Sequence, residues 1–385
     1  MTSGSINFDV RSAEFLADPY PFYAALRQHS PVVYLDEWGA WFVTSYDGCR
    51  TLFRENRLGH AAAPENPFIF QNPPEHTRLR RLTGKVLTKD FIESKRRRVQ
   101  EIMDGIVDEI ESRDEIELMS EVAFPFPLKV IADFFDYPVE DYDKLLYWAH
   151  AMELCFDPLQ DVNHAPEIEK ARNEFALYLQ DMCKRRMANP GPDMLTGLMT
   201  VEHEGDRLSP QEVISTSILL LVAGYITTAN LIGNGTLALL RNPDQLQKLR
   251  DNPGLRGTAV EELLRYEPPG QIGHRFVMVE DVTYRDWTFK KGDLVFIVAS
   301  AGNRDPDEFE NPDTLDITRK PNPHLGFGAG IHACLGAVLG HLEGEVFFDT
   351  FLRRIPSFSL TSQKPQYYPT FVFRALKSLP IKIGD

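Results

Sequence analysis

Residues 327–336 read Phe-Gly-Ala-Gly-Ile-His-Ala-Cys-Leu-Gly. The run places Cys334 at the exit of a glycine-bearing turn and the entrance of an amphipathic segment. Backbone N–H groups and the positive end of a helix dipole meet at such a point, and both favour thiolate over thiol. A thiolate is a nucleophile and a ligand for soft metals and for iron, so this cysteine is prepared for metal chemistry. The other three cysteines, Cys49, Cys155 and Cys183, are widely spread, with no C-x-x-C and no C-x-x-C-H. That spacing excludes a disulfide framework, a zinc ribbon and covalent c-type haem attachment. Free thiols fit a reducing, cytoplasmic setting. Outside a frame like that of Cys334, a lone cysteine reads as a small buried hydrophobe.

The elements around this cysteine are mainly helical. Residues 21–28 form a helical segment, and short β-like runs follow at 31–35 and 41–45. Helical periodicity then dominates over 77–86, 95–112, 139–155, 165–188 and 210–241, with strand-like pieces at 276–284 and 294–299. The pattern implies one domain over 1–385, with a β-rich N-terminal lobe and a larger helical lobe. Ser209-Pro210-Gln211-Glu212 is a capping box with proline at the first helical position, and Asn242-Pro243 marks the end of that helix. Its residues 218–226 are apolar on every face, so its middle is buried and is a natural wall for a cofactor pocket.

Inside that stretch lies Ala223-Gly224-Tyr225-Ile226-Thr227-Thr228. Alone it reads either as a buried helix tolerating small and hydroxyl residues, or as a place where glycine admits a ligand and threonine bends the helix. Glu262-Leu263-Leu264-Arg265 is a second pattern, in which Glu262 and Arg265 share a helix face.

The run F-G-x-G-x-H-x-C-x-G resembles the haem-binding loop of the cytochrome P450 family. Ala223–Thr228 resembles the family's oxygen-activation motif, and Glu262–Arg265 its E-x-x-R pair. Asn303-Arg304-Asp305-Pro306, Phe309, Pro312, Asp316 and Arg319 follow the family's spacing, and the matches run from residue 73 to the C-terminal Phe373-Arg374-Ala375-Leu376. The resemblance implies a mainly α, triangular fold with small sheets, and haem between the long central helix and the cysteine helix. The implied cofactor is haem b, bound non-covalently, with the Cys334 thiolate as axial ligand; Phe327, Gly328 and Gly336 complete its loop. His76, Arg80, Arg275 and His332 match family positions that meet the haem propionates, anions that need cations or donors. Thr227 falls at the threonine that binds dioxygen or its water, with Gly224 and Thr228 beside it. Glu262, Arg265 and Arg319 are structural. The departure is Ile226, where the family carries an acid; isoleucine neither carries nor relays a proton.

The segment after Cys334 repeats glycine at 336, 340 and 344, a face expected to pack near the central helix, while Glu343 and Glu345 exclude a membrane glycine zipper. Lys95-Arg96-Arg97-Arg98 is either a solvated face or, with Arg80, Arg81, Lys85 and Lys89, a docking patch for an acidic electron donor. By resemblance, the substrate walls include Phe68, Phe70, Ile226, Ile272 and Phe371, which suits a largely apolar organic molecule.

The formal net charge of −15 in 385 residues argues against nucleic-acid binding. The N-terminus shows neither a basic n-region nor an apolar h-region, and the apolar stretch 218–226 is too short to span a bilayer. A soluble, cytoplasmic, monomeric bacterial-type enzyme is expected. The implied activity is haem-thiolate monooxygenation of a secondary metabolite, polyketide or fatty acyl chain, free or carrier-bound, with electrons from a ferredoxin or flavodoxin. Because of Ile226, oxidative coupling, desaturation, ring closure or peroxide-driven oxidation is the alternative. A non-catalytic haem-binding protein is the third reading, and Thr227 argues against it.

Overall fold

A computed structural model describes residues 9–60, 67–157, 161–273, 276–361 and 364–384. The chain divides into two compact units, each assembled from three stretches. The first comprises Met1–His60, Gly233–Cys334 and Ser359–Lys382; the second comprises Ala61–Ile232, Leu335–Phe358 and Ile383–Asp385.

The first unit holds a five-stranded sheet built from β1 (Val32–Leu35), β2 (Ala40–Val43), β3 (Leu58–Gly59), β4 (Phe276–Met278) and β5 (Leu294–Ile297), in the order β1-β2-β5-β4-β3. β1 and β2 form an antiparallel hairpin, and β5 runs parallel to β2 with Leu294 opposite Ala40. Val43, Cys49, Leu52, Phe276, Met278, Val295 and Ile297 pack into one core beside the sheet. A second, aromatic cluster joins Phe42, Phe296 and Trp38 to Phe371.

The Arg256–Tyr266 helix of this unit carries a fully buried ion pair. Arg265 donates from Nε to Glu262 Oε2 and from Nη2 to Oε1, both at 2.8 Å, with both side chains at zero exposure. Its remaining N–H groups reach the carbonyls of Asn303, Pro312 and Thr314. Glu262 also accepts from Arg319 Nε, Asn322 Nδ2 and the Asp316 N–H. Every charge is therefore matched, the condition under which a buried pair is tolerated. The structural role expected for Glu262, Arg265 and Arg319 is what the geometry displays.

The second unit is helical: Glu75–Val86, Arg96–Ile110, Pro125–Phe135, Tyr142–Glu153, Asp161–Ala188, most of the central helix Pro210–Arg241, and the cysteine helix Ala337–Arg354. The central helix starts as expected: Glu212 N–H donates to Ser209 Oγ at 3.3 Å, and Ser209 N–H donates to Glu212 Oε2 at 2.7 Å. Among the described residues it is the one helix long and apolar enough to cross a membrane, and its most apolar window is 61% buried within the protein. The cysteine helix packs along Arg96–Ile110, where Gln100 donates to Thr350 and Arg354 pairs with Asp108 and Glu111.

Candidate active site

In the first unit, the chain leading to Cys334 is a series of tight turns. Gly328 and Gly330 have φ of +64° and +71°, the left-handed region that favours glycine. A Cβ at Gly330 would also collide with the carbonyl oxygen of Phe53. The Gly328 N–H donates to Leu325 O at 2.9 Å, and the Cys334 N–H donates to Phe327 O at 2.8 Å. Residues 330–332 make a single 3₁₀ turn, and the cysteine helix opens at Ala337 with Gly336 as its N-cap. Cys334 thus stands just ahead of a helix N-terminus, as its sequence frame implies, and it is exposed although cysteine is among the most buried residue types. The His332 ring lies edge-on to His60 at 5.1 Å and 6.1 Å from Phe276, and Phe327 lies 6.0 Å from His324.

Ile272 is buried in the same unit at 6% exposure. Phe371 requires a correction. Its ring has zero exposure and sits among Phe15, Trp38, Phe42 and Phe296, so it is a core side chain of the first unit and not a substrate wall. Arg275 lies outside the described residues.

In the second unit, the middle of the central helix has one face that its own neighbours leave partly uncovered. Leu220, Ala223, Gly224 and Thr227 are half-buried, whereas Leu219, Leu221, Val222, Tyr225, Ile226 and Thr228 are buried. The four uncovered positions follow i, i+3, i+4, i+7, one stripe of a helix, bordered by Ile226 and Thr228. Thr227 Oγ1 donates to the Ala223 carbonyl at 2.8 Å, which commits its proton and leaves its oxygen lone pairs as acceptors. Gly224 has a packing reason: a Cβ there would come within 2.8 Å of Ile131 Cδ1 on the Pro125–Phe135 helix.

Thr228 Oγ1 donates to Glu343 Oε2 at 2.8 Å. Glu343 lies on the cysteine helix with no exposed surface, and its Oε1 has no hydrogen-bond partner among the described residues. Burial pushes this carboxyl up to about 8, against a smaller lowering by the Thr228 hydroxyl. Sequence reasoning took Glu343 for a charge that merely rules out a membrane zipper. The available signal was its place seven residues after Gly336, on the same face as Gly336 and Gly340.

His76 is buried and tilted against Phe68 at 6.2 Å, and Phe70 packs on Phe156 at 5.6 Å. Burial, then the positive charge of Arg80, pushes His76 down to about 4, so it offers a neutral ring and Arg80 supplies the charge. The basic run at 95–98 is largely neutralised: Arg96 pairs with Glu93 and Glu345, Arg97 with Glu101, and Arg98 with Glu101 and Asp133.

These features fit a haem-thiolate protein: an exposed cysteine at a helix entrance, and a buried helix with a partly uncovered face bearing a threonine hydroxyl. The cytochrome P450 family profile matches residues 257–382. The chain is 38% identical to the biotin biosynthesis cytochrome P450 of Bacillus subtilis, over 96% of this chain and 97% of that one. It is 36% identical to the vitamin D(3) 25-hydroxylase of Pseudonocardia autotrophica, over 100% and 98%. A crystal structure of P450BioI in complex with hexadec-9Z-enoic acid ligated acyl carrier protein superposes with a TM-score of 0.92 at 36% identity, covering 97% of this chain and 99% of that one. The chain belongs to the cytochrome P450 family and has its fold; it is a haem-thiolate monooxygenase of the bacterial type.

The family binds haem b through a cysteine thiolate, and the residues present fit that group. Cys334 is the one cysteine in an exposed, helix-entrance frame, and the partly uncovered stripe of the central helix carries no charge.

Glu343 gives this region a pH signature. Below about 4.5 its carboxyl is protonated in both folded and unfolded chains. Between about 4.5 and 8 the unfolded chain releases a proton that the folded chain keeps, so stability falls as pH rises, by up to about 1.4 kcal/mol per pH unit. Glu343→Gln is expected to flatten that slope in denaturant titrations of the holoprotein across this window. Equal slopes in wild type and variant would mean that Glu343 is ionised in the fold.

Proposed function

We propose that this monooxygenase oxidises a long, largely apolar acyl or polyketide chain carried on a carrier protein. The observation that carries the reading is the likeness, across nearly the whole chain, to a cytochrome P450 crystallised with an acyl-loaded carrier protein. The apolar side chains at Phe68, Phe70 and Phe156 support it. Electrons come from a ferredoxin or flavodoxin, and the enzyme works as a cytoplasmic monomer, one domain spanning 1–385.

The haem supplies oxygen activation, drawing on dioxygen and two electrons. Cys334 Sγ would hold the iron, within the turn of Phe327 and Gly328 and ahead of Gly336. Arg80 would meet propionate charge, and His76 and His332 would add ring N–H donors. Thr227 presents its hydroxyl oxygen, and Gly224 lets the helix lie close to Ile131. Inserting one oxygen atom and reducing the other to water consumes two protons. Ile226 is buried and cannot supply them. The Thr228–Glu343 pair holds a proton at the Glu343 carboxyl near neutral pH, a carboxylic proton store bonded to the residue that follows Thr227.

Addition of hexadecenoyl-loaded acyl carrier protein to the ferric enzyme is expected to produce a low-to-high-spin shift at lower concentration than the free acid, with oxidised acyl product on turnover. No shift with either form, alongside a shift with a ring-type substrate such as a steroid, would overturn the acyl reading.

The buried isoleucine at 226 favours a second reading, in which the enzyme desaturates, couples or closes a ring, or draws on peroxide. Under the monooxygenase reading, Ile226→Asp leaves product formed per NADPH unchanged or raises it. A switch of the product from desaturated or cyclised to hydroxylated would show that Ile226 selects the reaction.

A further inference from the structure

Glu261 and Glu262 are neighbours on the Arg256–Tyr266 helix and hold different parts of the same run of chain. Glu262 takes Arg319 and Asn322. Glu261 takes His324, whose Nε2 lies 2.5 Å from Glu261 Oε2. The Gly326 N–H donates to His324 Nδ1 at 3.1 Å. That bond fixes the tautomer: Nδ1 offers its lone pair, so Nε2 carries the hydrogen and donates it to the Glu261 carboxylate. The His324 side chain is only 4% exposed. At Gly326 the chain presses on the helix, since a Cβ there would lie 2.9 Å from Leu264 O. The preceding N–H, of Leu325, is held by Asn303 Oδ1 at 2.7 Å.

These contacts run directly into the cysteine turn. Gly326 precedes Phe327, whose carbonyl accepts the Cys334 N–H at 2.8 Å, and Leu325 O accepts the Gly328 N–H. Four links therefore join the helix to the thiolate: Glu261 to His324, His324 to Gly326, Gly326 through the peptide to Phe327, and Phe327 to Cys334.

We propose that His324 is a positioning residue for the haem thiolate, acting through its acceptor bond to Gly326 with Glu261 fixing the ring. A cysteine held ahead of a helix N-terminus keeps its thiolate character only while the turn keeps it there. Donation from an axial thiolate depends on that placement and on the hydrogen bonds around the sulfur. His324 touches neither iron nor substrate, so its effect is read on the thiolate itself.

The test uses the holoprotein and three variants: His324→Phe, His324→Asn and Glu261→Gln. Asparagine keeps an acceptor two residues before Gly326, the geometry of an Asx turn, but is too short to reach Glu261. Phenylalanine keeps a ring and loses both bonds. The readouts are the reduced carbon monoxide spectrum, the rate at which its thiolate-type band converts to the thiol type, and the reduction potential. His324→Phe is expected to convert at least about tenfold faster, the equivalent of one hydrogen bond to a charged group, with a more positive potential. His324→Asn is expected to stay within about threefold of wild type, since it restores the Gly326 bond. A His324→Phe variant with wild-type spectrum, conversion rate and potential, or a His324→Asn variant as damaged as His324→Phe, overturns the proposal. If His324→Phe does not fold, Glu261→Gln decides: faster conversion supports the role, and wild-type behaviour overturns it.

Discussion

The buried pair of Glu262 and Arg265 is the constraint on which the first unit turns. A guanidinium and a carboxylate with no exposed surface are costly to bury, and the cost is met only because each remaining lone pair and N–H finds a partner. Those partners are the carbonyls of Asn303, Pro312 and Thr314, the Asp316 N–H and the side chains of Arg319 and Asn322, all on the run of chain that leads to Cys334. Satisfying the charge therefore also fixes the path of an otherwise irregular segment. The thiolate turn inherits its rigidity from an ion pair that takes no part in the chemistry.

The second unit solves a different problem, exposing a reactive face on a buried helix. Its neighbours bury most of the central helix near its middle and leave Leu220, Ala223, Gly224 and Thr227 half-buried along one stripe. Ile131 closes on Gly224, and Glu343 reaches Thr228 from the cysteine helix. A protonated carboxyl at that contact is stable because it is neutral, and burial keeps it so. Two hydroxyls thus follow one another on the central helix, the second bonded to a protonated carboxyl on the cysteine helix, although the position between Tyr225 and Thr227 is isoleucine.

Much of this was legible in the residues, for identifiable reasons. The central helix runs from Pro210 to Arg241, the bounds its capping box and Asn242-Pro243 mark, because caps act locally. The cysteine turn was legible because left-handed φ at Gly328 and Gly330 requires glycine. The Pro125–Phe135 helix escaped notice because it is apolar on nearly every face and begins Pro-Phe-Pro, a pattern without helical periodicity. Phe371 was misplaced because an aromatic residue near a loop looks the same in sequence whether it lines a pocket or fills a core. The Thr228–Glu343 and His324–Glu261 contacts were invisible because partners 115 and 63 residues apart are joined only by the fold.

The account stands on Cys334 as the iron ligand, presented by a turn that the fold holds rigid. The most direct test is the carbon monoxide difference spectrum of the reduced protein, wild type against Cys334→Ala. A thiolate-type Soret band in the wild type, lost in the variant, is the predicted result. A wild type without that band, or a variant that keeps it, would contradict the account.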